Sequence, residues 1–235
     1  MIDTTTLFWF GALGMGAGTA AFVRGSLSGD TSDSRYYAIL AAVSLIAAIA
    51  YALMALGIGW LPVGDRIVFV PRYVDWILTT PLLLAFLGLL SGIGRRELGL
   101  VVVVNTVVMG GGLAAALLSG AARFWLFGLA AAAYVALVYL LLGPMSEQAS
   151  ERGPAVGSLF GSLRNLTVVL WSVYPIVWLL GPPGFDLLTL TVDVMLVTYL
   201  DLLTKVGFGL IALNAGATIE TELGASVPAE SSRPS

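Results

Sequence analysis

Seven times along its 235 residues this chain stays apolar for long enough to cross a bilayer. A crossing helix needs about 20 predominantly apolar residues, and in hydrocarbon every backbone polar group must find its partner inside the segment. Windows at 4–24, 36–57, 71–92, 96–118, 122–143, 156–181 and 187–213 meet that demand. The breaks between them carry turn chemistry, as in Gly25-Ser26-Leu27-Ser28-Gly29-Asp30, Gly92-Ile93-Gly94-Arg95-Arg96, Ser119-Gly120, the run from Glu147 to Pro154, and Gly181-Pro182-Pro183-Gly184. One connection differs. Val63-Gly64-Asp65 followed by Arg66-Ile67-Val68-Phe69-Val70 predicts a small surface hairpin. Pro81 and Pro175 fall inside spans, where neighbouring helices accommodate a kink. The expected fold is an all-α membrane protein, a seven-transmembrane-helix bundle with a short β-hairpin between the second and third helices.

Composition supports this reading and removes several classes of function. The chain is 58% hydrophobic and 11% charged, where soluble domains are typically about 25% charged. With no cysteine and no histidine it has no disulfides and lacks the usual zinc and haem ligands, so no metal is expected. A net charge of -3 gives no support for nucleic-acid binding. The N-terminus lacks the basic region of a signal peptide, so the first span is expected to be retained in a multi-pass cell-membrane protein. Loops on one side hold Arg24, Arg35, Arg95, Arg96, Arg152 and Arg164, and those on the other hold Arg66 and Arg123. The positive-inside rule then sets the N-terminus extracellular and the C-terminus cytoplasmic. Residues 1–213 read as one domain without a strong internal repeat, and 214–235 as a polar, acidic, disordered tail.

The last span contains the chain's sole lysine, Lys205, four residues after Asp201. An ionisable residue at mid-bilayer depth costs about 2.5–3.5 kcal/mol on insertion scales and marks a functional site by default. Lysine can also lose its proton in an apolar pocket and condense with an aldehyde, which arginine cannot do. The plain alternative is a structural ion pair between Asp201 and Lys205. In the third span Arg72, Asp75 and Thr79 are spaced i, i+3, i+7 and share one face, which should look into the bundle. Two carboxylates, a guanidinium and an amine suit a cationic lysine derivative between two anions, with Arg72 compensating the second. Trp171, Tyr174 and Trp178 form an aromatic stripe on one face of the sixth span, a pattern shared with core packing and interfacial belts. Facing Trp76 and Lys205, the stripe would wall a flat slot for a long conjugated ligand. Gly110-Gly111-Gly112 could leave room for a bulky ring or merely let helices pack closely.

Arg72-Tyr73-Val74-Asp75-Trp76-Ile77-Leu78-Thr79-Thr80-Pro81 together with Asp201-Leu202-Leu203-Thr204-Lys205 resembles the microbial rhodopsins, and within them the haloarchaeal sensory rhodopsin II group. The resemblance covers the chain to about residue 213. It implies a retinal-binding domain and a photoreceptor rather than an enzyme, with all-trans retinal carried on Lys205 as a protonated Schiff base. It implies Asp75 as primary counterion and proton acceptor, Asp201 as the second carboxylate, and Arg72 as the gate toward the extracellular side. The retinal site it implies comprises Trp76, Thr79, Thr80, Val108, Gly112 and Phe127, with Trp171, Tyr174, Pro175, Trp178 and Thr204.

Two functions follow from the resemblance. One is a blue-green receptor for phototaxis that signals through a two-helix transmembrane transducer, with Thr189 and Tyr199 at the positions that meet it. The other is a light-driven outward proton pump. Pumping relatives carry a proton-donating carboxylate eleven residues after the counterion, where this chain has Phe86. Their glutamate pair for proton release corresponds to Pro183 and Asp193, an incomplete pair. Thr204 with Tyr174 matches the pair that couples the chromophore to signalling, and the set favours the sensor. One departure runs the other way. The connection between the fifth and sixth spans, read as Gly157 to Arg164, holds only Arg164 where relatives carry several basic residues. A chloride pump is disfavoured because it would replace the Asp75 carboxylate.

Overall fold

A computed structural model describes residues 3–28 and 34–215 of the chain. Helices α1 (Thr4–Ser28) and α2 (Ser34–Ala55) come first, then strands β1 (Trp60–Val63) and β2 (Arg66–Phe69). They are followed by α3 (Val70–Ser91), α4 (Arg95–Leu117), α5 (Ala122–Leu142), the short α6 (Pro144–Glu151) and α7 (Pro154–Leu180). The last span comprises α8 (Leu190–Leu202), a π-helical turn (Leu203–Gly207) and α9 (Phe208–Asn214). Seven helical spans among the described residues are long and apolar enough to cross a membrane. The expected bundle and its hairpin are both present. The expected tail lies, from residue 216 onward, outside the described residues.

The hairpin forms because its two-residue loop suits the twist of the strands. Gly64 takes the left-handed φ of 61° at the first loop position, and Val63 pairs with Arg66 while Trp60 pairs with Phe69. Aromatic edges then seat the hairpin on α1. Phe8 meets Phe69 at 5.1 Å and Trp60 at 6.2 Å, each edge to face. Arg66 also reaches across to the final carbonyls of α4, donating to Ala116 O at 3.1 Å and to Leu118 O.

One expected loop is largely helical instead. The run from Glu147 to Pro154 was expected to be a break, yet α6 extends to Glu151 and the true turn is Arg152-Gly153, with Gly153 at a φ of 118°. Polar composition hid a helix whose backbone is satisfied internally and whose Met145 and Ala149 are buried. Gly157 to Arg164 belongs to α7, as the 156–181 window predicts, and not to the connection that the same stretch was also read as. Val156, Leu159, Phe160 and Leu163 are buried there, at helical spacing that the intervening glycines and serines obscured. Arg164 therefore sits on a helix, bonded to Ser146 and Asn165. Arg152 donates to Leu89 O at 2.9 Å and Leu90 O at 3.1 Å, closing the end of α3.

A large apolar core fills the half of the bundle away from the hairpin, with Phe22, Leu40, Leu84, Phe86, Leu87 and Phe208 among its fully buried members. A smaller one lies under the hairpin, around Phe8, Tyr51, Met54 and Val194. Between the two cores lie the buried charges.

Candidate functional site

Lys205 is on the π turn, where the backbone widens and the N–H of Phe208 reaches back to Leu203 O. Its side chain is 2% exposed and points at α3. Nζ donates to Asp75 Oδ2 at 2.6 Å and lies 3.2 Å from Asp201 Oδ1. The ion pair between Asp201 and Lys205 is thus half of a three-member arrangement spanning two elements.

The two carboxylates are held very differently. Asp201 accepts from Tyr51 Oη at 2.7 Å on one oxygen, and from Trp76 Nε1 at 3.0 Å and Tyr174 Oη at 2.7 Å on the other. Asp75 has Lys205 on Oδ2, while its buried Oδ1 has no hydrogen-bond partner. Asp201 thus has donors on both of its oxygens, whereas Asp75 keeps one acceptor oxygen open.

Arg72, Asp75 and Thr79 are all buried on one face, as their spacing predicts. Arg72 does not compensate either carboxylate by direct contact. Its Nη1 pairs with Asp193 Oδ2 at 2.9 Å. Asp193, read from sequence as half of an incomplete release pair, is instead the buried partner of Arg72. Thr79 also departs from expectation. Its hydroxyl donates to Asp75 O at 2.8 Å, and it is absent from the cavity wall.

That wall is where most of the remaining expected residues meet. A largely apolar cavity starts at Lys205, Asp201 and Thr204 and runs past Trp76 and Thr80 between α3 and α7. Trp171, Tyr174, Pro175 and Trp178 line it from α7, while Val108, Gly112 and Phe127 line its far part from α4 and α5. The aromatic stripe therefore faces a cavity. Trp178 and Phe127 stack at 4.5 Å and 16°, forming a flat wall. A Cβ added to Gly112 would meet nothing within 4 Å, whereas one on Gly111 would meet Ala130 Cβ at 3.0 Å. One glycine of the trio thus leaves space beside the cavity and the next allows close packing of α4 on α5.

Tyr174 Oη also lies 3.3 Å from Thr204 Oγ1, linking α7 to the lysine's own turn. Asn105 Nδ2 donates to Thr80 Oγ1 at 2.8 Å and fixes that residue against the wall. Sequence reasoning missed Tyr51 and Asn105, which lie in apolar runs with no local spacing to flag them, and named Asp193 without its partner Arg72. Phe86 is buried against Tyr36 at 4.9 Å and Phe208 at 5.3 Å, within the large apolar core. Thr189 and Tyr199 stand apart from the site. Thr189 caps α8, accepting from Val192 N at 3.4 Å, and Tyr199 is 52% exposed beside Phe10. Among the described residues no group of three His, Cys, Asp or Glu could hold a metal ion.

The bacteriorhodopsin-like protein family model matches residues 3–219. Sensory rhodopsin-2 of Natronomonas pharaonis is 56% identical over 97% of this chain and 95% of its own length. Sensory rhodopsin-2 of Haloarcula vallismortis is 41% identical over 92% of each chain. Among solved structures, the thermophilic rhodopsin from Rubrobacter xylanophilus superposes with a TM-score of 0.91 at 38% identity, covering 95% of this chain and 100% of that one. The family implies a retinal chromophore, and the residues fit it: a buried amine opens onto a flat-walled apolar cavity, with open space at Gly112. The chain belongs to the bacteriorhodopsin-like family of microbial rhodopsins, and its likeness to archaeal sensory rhodopsin-2 makes it a multi-pass membrane photoreceptor rather than an enzyme.

Proposed function

We propose that this protein is a blue-green receptor of the sensory rhodopsin II kind, signalling for phototaxis through a two-helix membrane transducer. The observation that carries this reading is Lys205 between two unequal carboxylates at the end of an aromatic-walled cavity. When bound, retinal supplies a light-driven isomerisation, from the all-trans form carried on Lys205 as a protonated Schiff base.

The chain's own residues do the rest. Asp75 holds the proton on the Lys205 nitrogen by a 2.6 Å contact and is the group placed to receive it. Asp201 stays within its network, accepting from Tyr51, Trp76 and Tyr174. Once the lysine nitrogen and Asp75 are neutral, the attraction between α3 and the last span falls away. Tyr174, bonded to Asp201 and within reach of Thr204, passes that change to α7. This is a local charge event biasing a two-state element. Phe86 has no proton to donate, so reprotonation draws on solvent across an apolar core and is slow. Slow return suits a signal and opposes the pump reading.

Thr189 and Tyr199, both exposed and about 15 Å apart along α8 at 1.5 Å per residue, are the proposed transducer contacts. The hairpin end, with Arg66 and Arg123, is the proposed extracellular side, together with the N-terminus.

The test is light-driven pH change in lipid vesicles with and without a co-expressed two-helix transducer, using Lys205→Ala as the blank. Weak pumping alone, complex formation with the transducer and no visible band in the blank are expected. Strong sustained pumping without complex formation would restore the pump.

A further inference from the structure

We propose that Tyr134 is a positioning residue that latches α7 to α5 and limits how far, and for how long, α7 moves after light absorption. The inference rests on the photoreceptor reading above and adds to it a restraint outside the charged site.

Tyr134 lies midway along α5 and its ring lines the cavity. Its hydroxyl lies 3.0 Å from Val168 O and 3.0 Å from Ser172 Oγ, both on α7. Ser172 Oγ itself donates to Val168 O at 2.7 Å. The hydroxyl therefore meets two partners on one face of α7, donating to Val168 O and sharing a hydrogen bond with Ser172 Oγ, and neither partner lines the cavity.

The position of those partners gives the contact its meaning. They precede Pro175, which has no N–H to give to the Trp171 carbonyl one turn back. A helix bends most readily at such a break. Residues 154–174 thus form an arm hinged at Pro175, and Tyr134 grips it between the hinge and its far end. Arg164 ties the middle of the arm to Ser146 on α6. At the hinge itself Tyr174 reports on Asp201 and Thr204. The charge change at Lys205 thus acts on the arm at its hinge, and the Tyr134 bond resists it two turns further on. At this depth water does not replace a broken bond, so the restraint opposes opening and draws the arm back.

The test uses the whole protein with retinal in lipid nanodiscs. The chain has no cysteine, so Ser158→Cys on the arm and Leu100→Cys on α4, both exposed, accept a spin-label pair specifically. Pulsed dipolar spectroscopy reads the light-induced distance change, and flash photolysis reads its decay. Tyr134→Phe should enlarge the displacement and slow recovery by about threefold to tenfold, the range that one net hydrogen bond supplies. Ser172→Ala removes one partner without touching the cavity wall. It should leave the dark absorption band in place and slow recovery less, by about twofold. Displacement and decay unchanged in both variants overturn the latch; if Tyr134→Phe does not assemble, an unchanged Ser172→Ala does so alone. Absence of any visible band in the unsubstituted protein overturns the photoreceptor reading instead.

Discussion

The two sides of Lys205 are built on opposite principles. Toward the hairpin the bundle interior is polar and paired: Asp75, Asp201 and Tyr51 around the amine, then Arg72 on Asp193. Away from the hairpin it is dry, with Leu83, Leu84, Phe86, Leu87 and Phe208 closing over the site. A proton leaving the lysine nitrogen has an acceptor 2.6 Å away on the first side and nothing comparable on the second. The lesson is one of direction. In the proposed photocycle departure is easy because it runs into a prepared network, and return is slow because the buried core on the other side, among the described residues, includes no carboxylate to supply it.

The largest way to break this contrast is to remove the acceptor from the polar half. Asp75→Asn should shift absorption to longer wavelength, because the charge beside the chromophore is lost. It should also cut formation of the deprotonated state at neutral pH by about a thousandfold, within the range that a positioned base supplies. Flash photolysis with normal deprotonation would show that another group takes the proton. Next in size is the pair beyond it. Arg72→Gln leaves Asp193 buried without its ion partner and should cost about 3 kcal/mol, measured as a fall in unfolding free energy in detergent or lipid. An unchanged stability would mean that Asp193 is carried by other donors. Smallest is a change that makes the dry half resemble the polar one. Phe86→Asp should speed recovery of the dark state by about tenfold, less than a fully aligned donor gives. If recovery kept its rate, the delay would lie outside the apolar plug.

How much of this was legible in the sequence follows from the range of each interaction. Lys205, Asp75 and Arg72 stand out because charge in a membrane span is costly wherever the chain goes next. The Trp171 to Trp178 stripe was visible as spacing, and its meaning appeared only when the cavity was found against it. Tyr51 is an aromatic in an apolar helix, a pattern that reads as packing. Its bond to Asp201 joins residues 150 positions apart. Asp193 and Arg72 are separated by 121 positions, so no local rule could pair them. The run from Gly157 to Arg164 fell inside an expected span and was also read as a connection, because glycine and serine interrupt it. In this apolar setting those residues allow close packing rather than forming a loop.

The widened turn at Leu203–Gly207 also makes residue count between Asp201 and Phe208 a rigid quantity. It accommodates one residue more than the regular helical path would hold. Without the widening, that extra residue would swing everything after it by about 100°. Phe208, Gly209 and Ala212, now buried, would turn toward lipid, and the dry plug would lose its final face. Substitutions around the lysine can be repaired one neighbour at a time, but a further residue inserted here would have to be compensated along the whole end of the last helix.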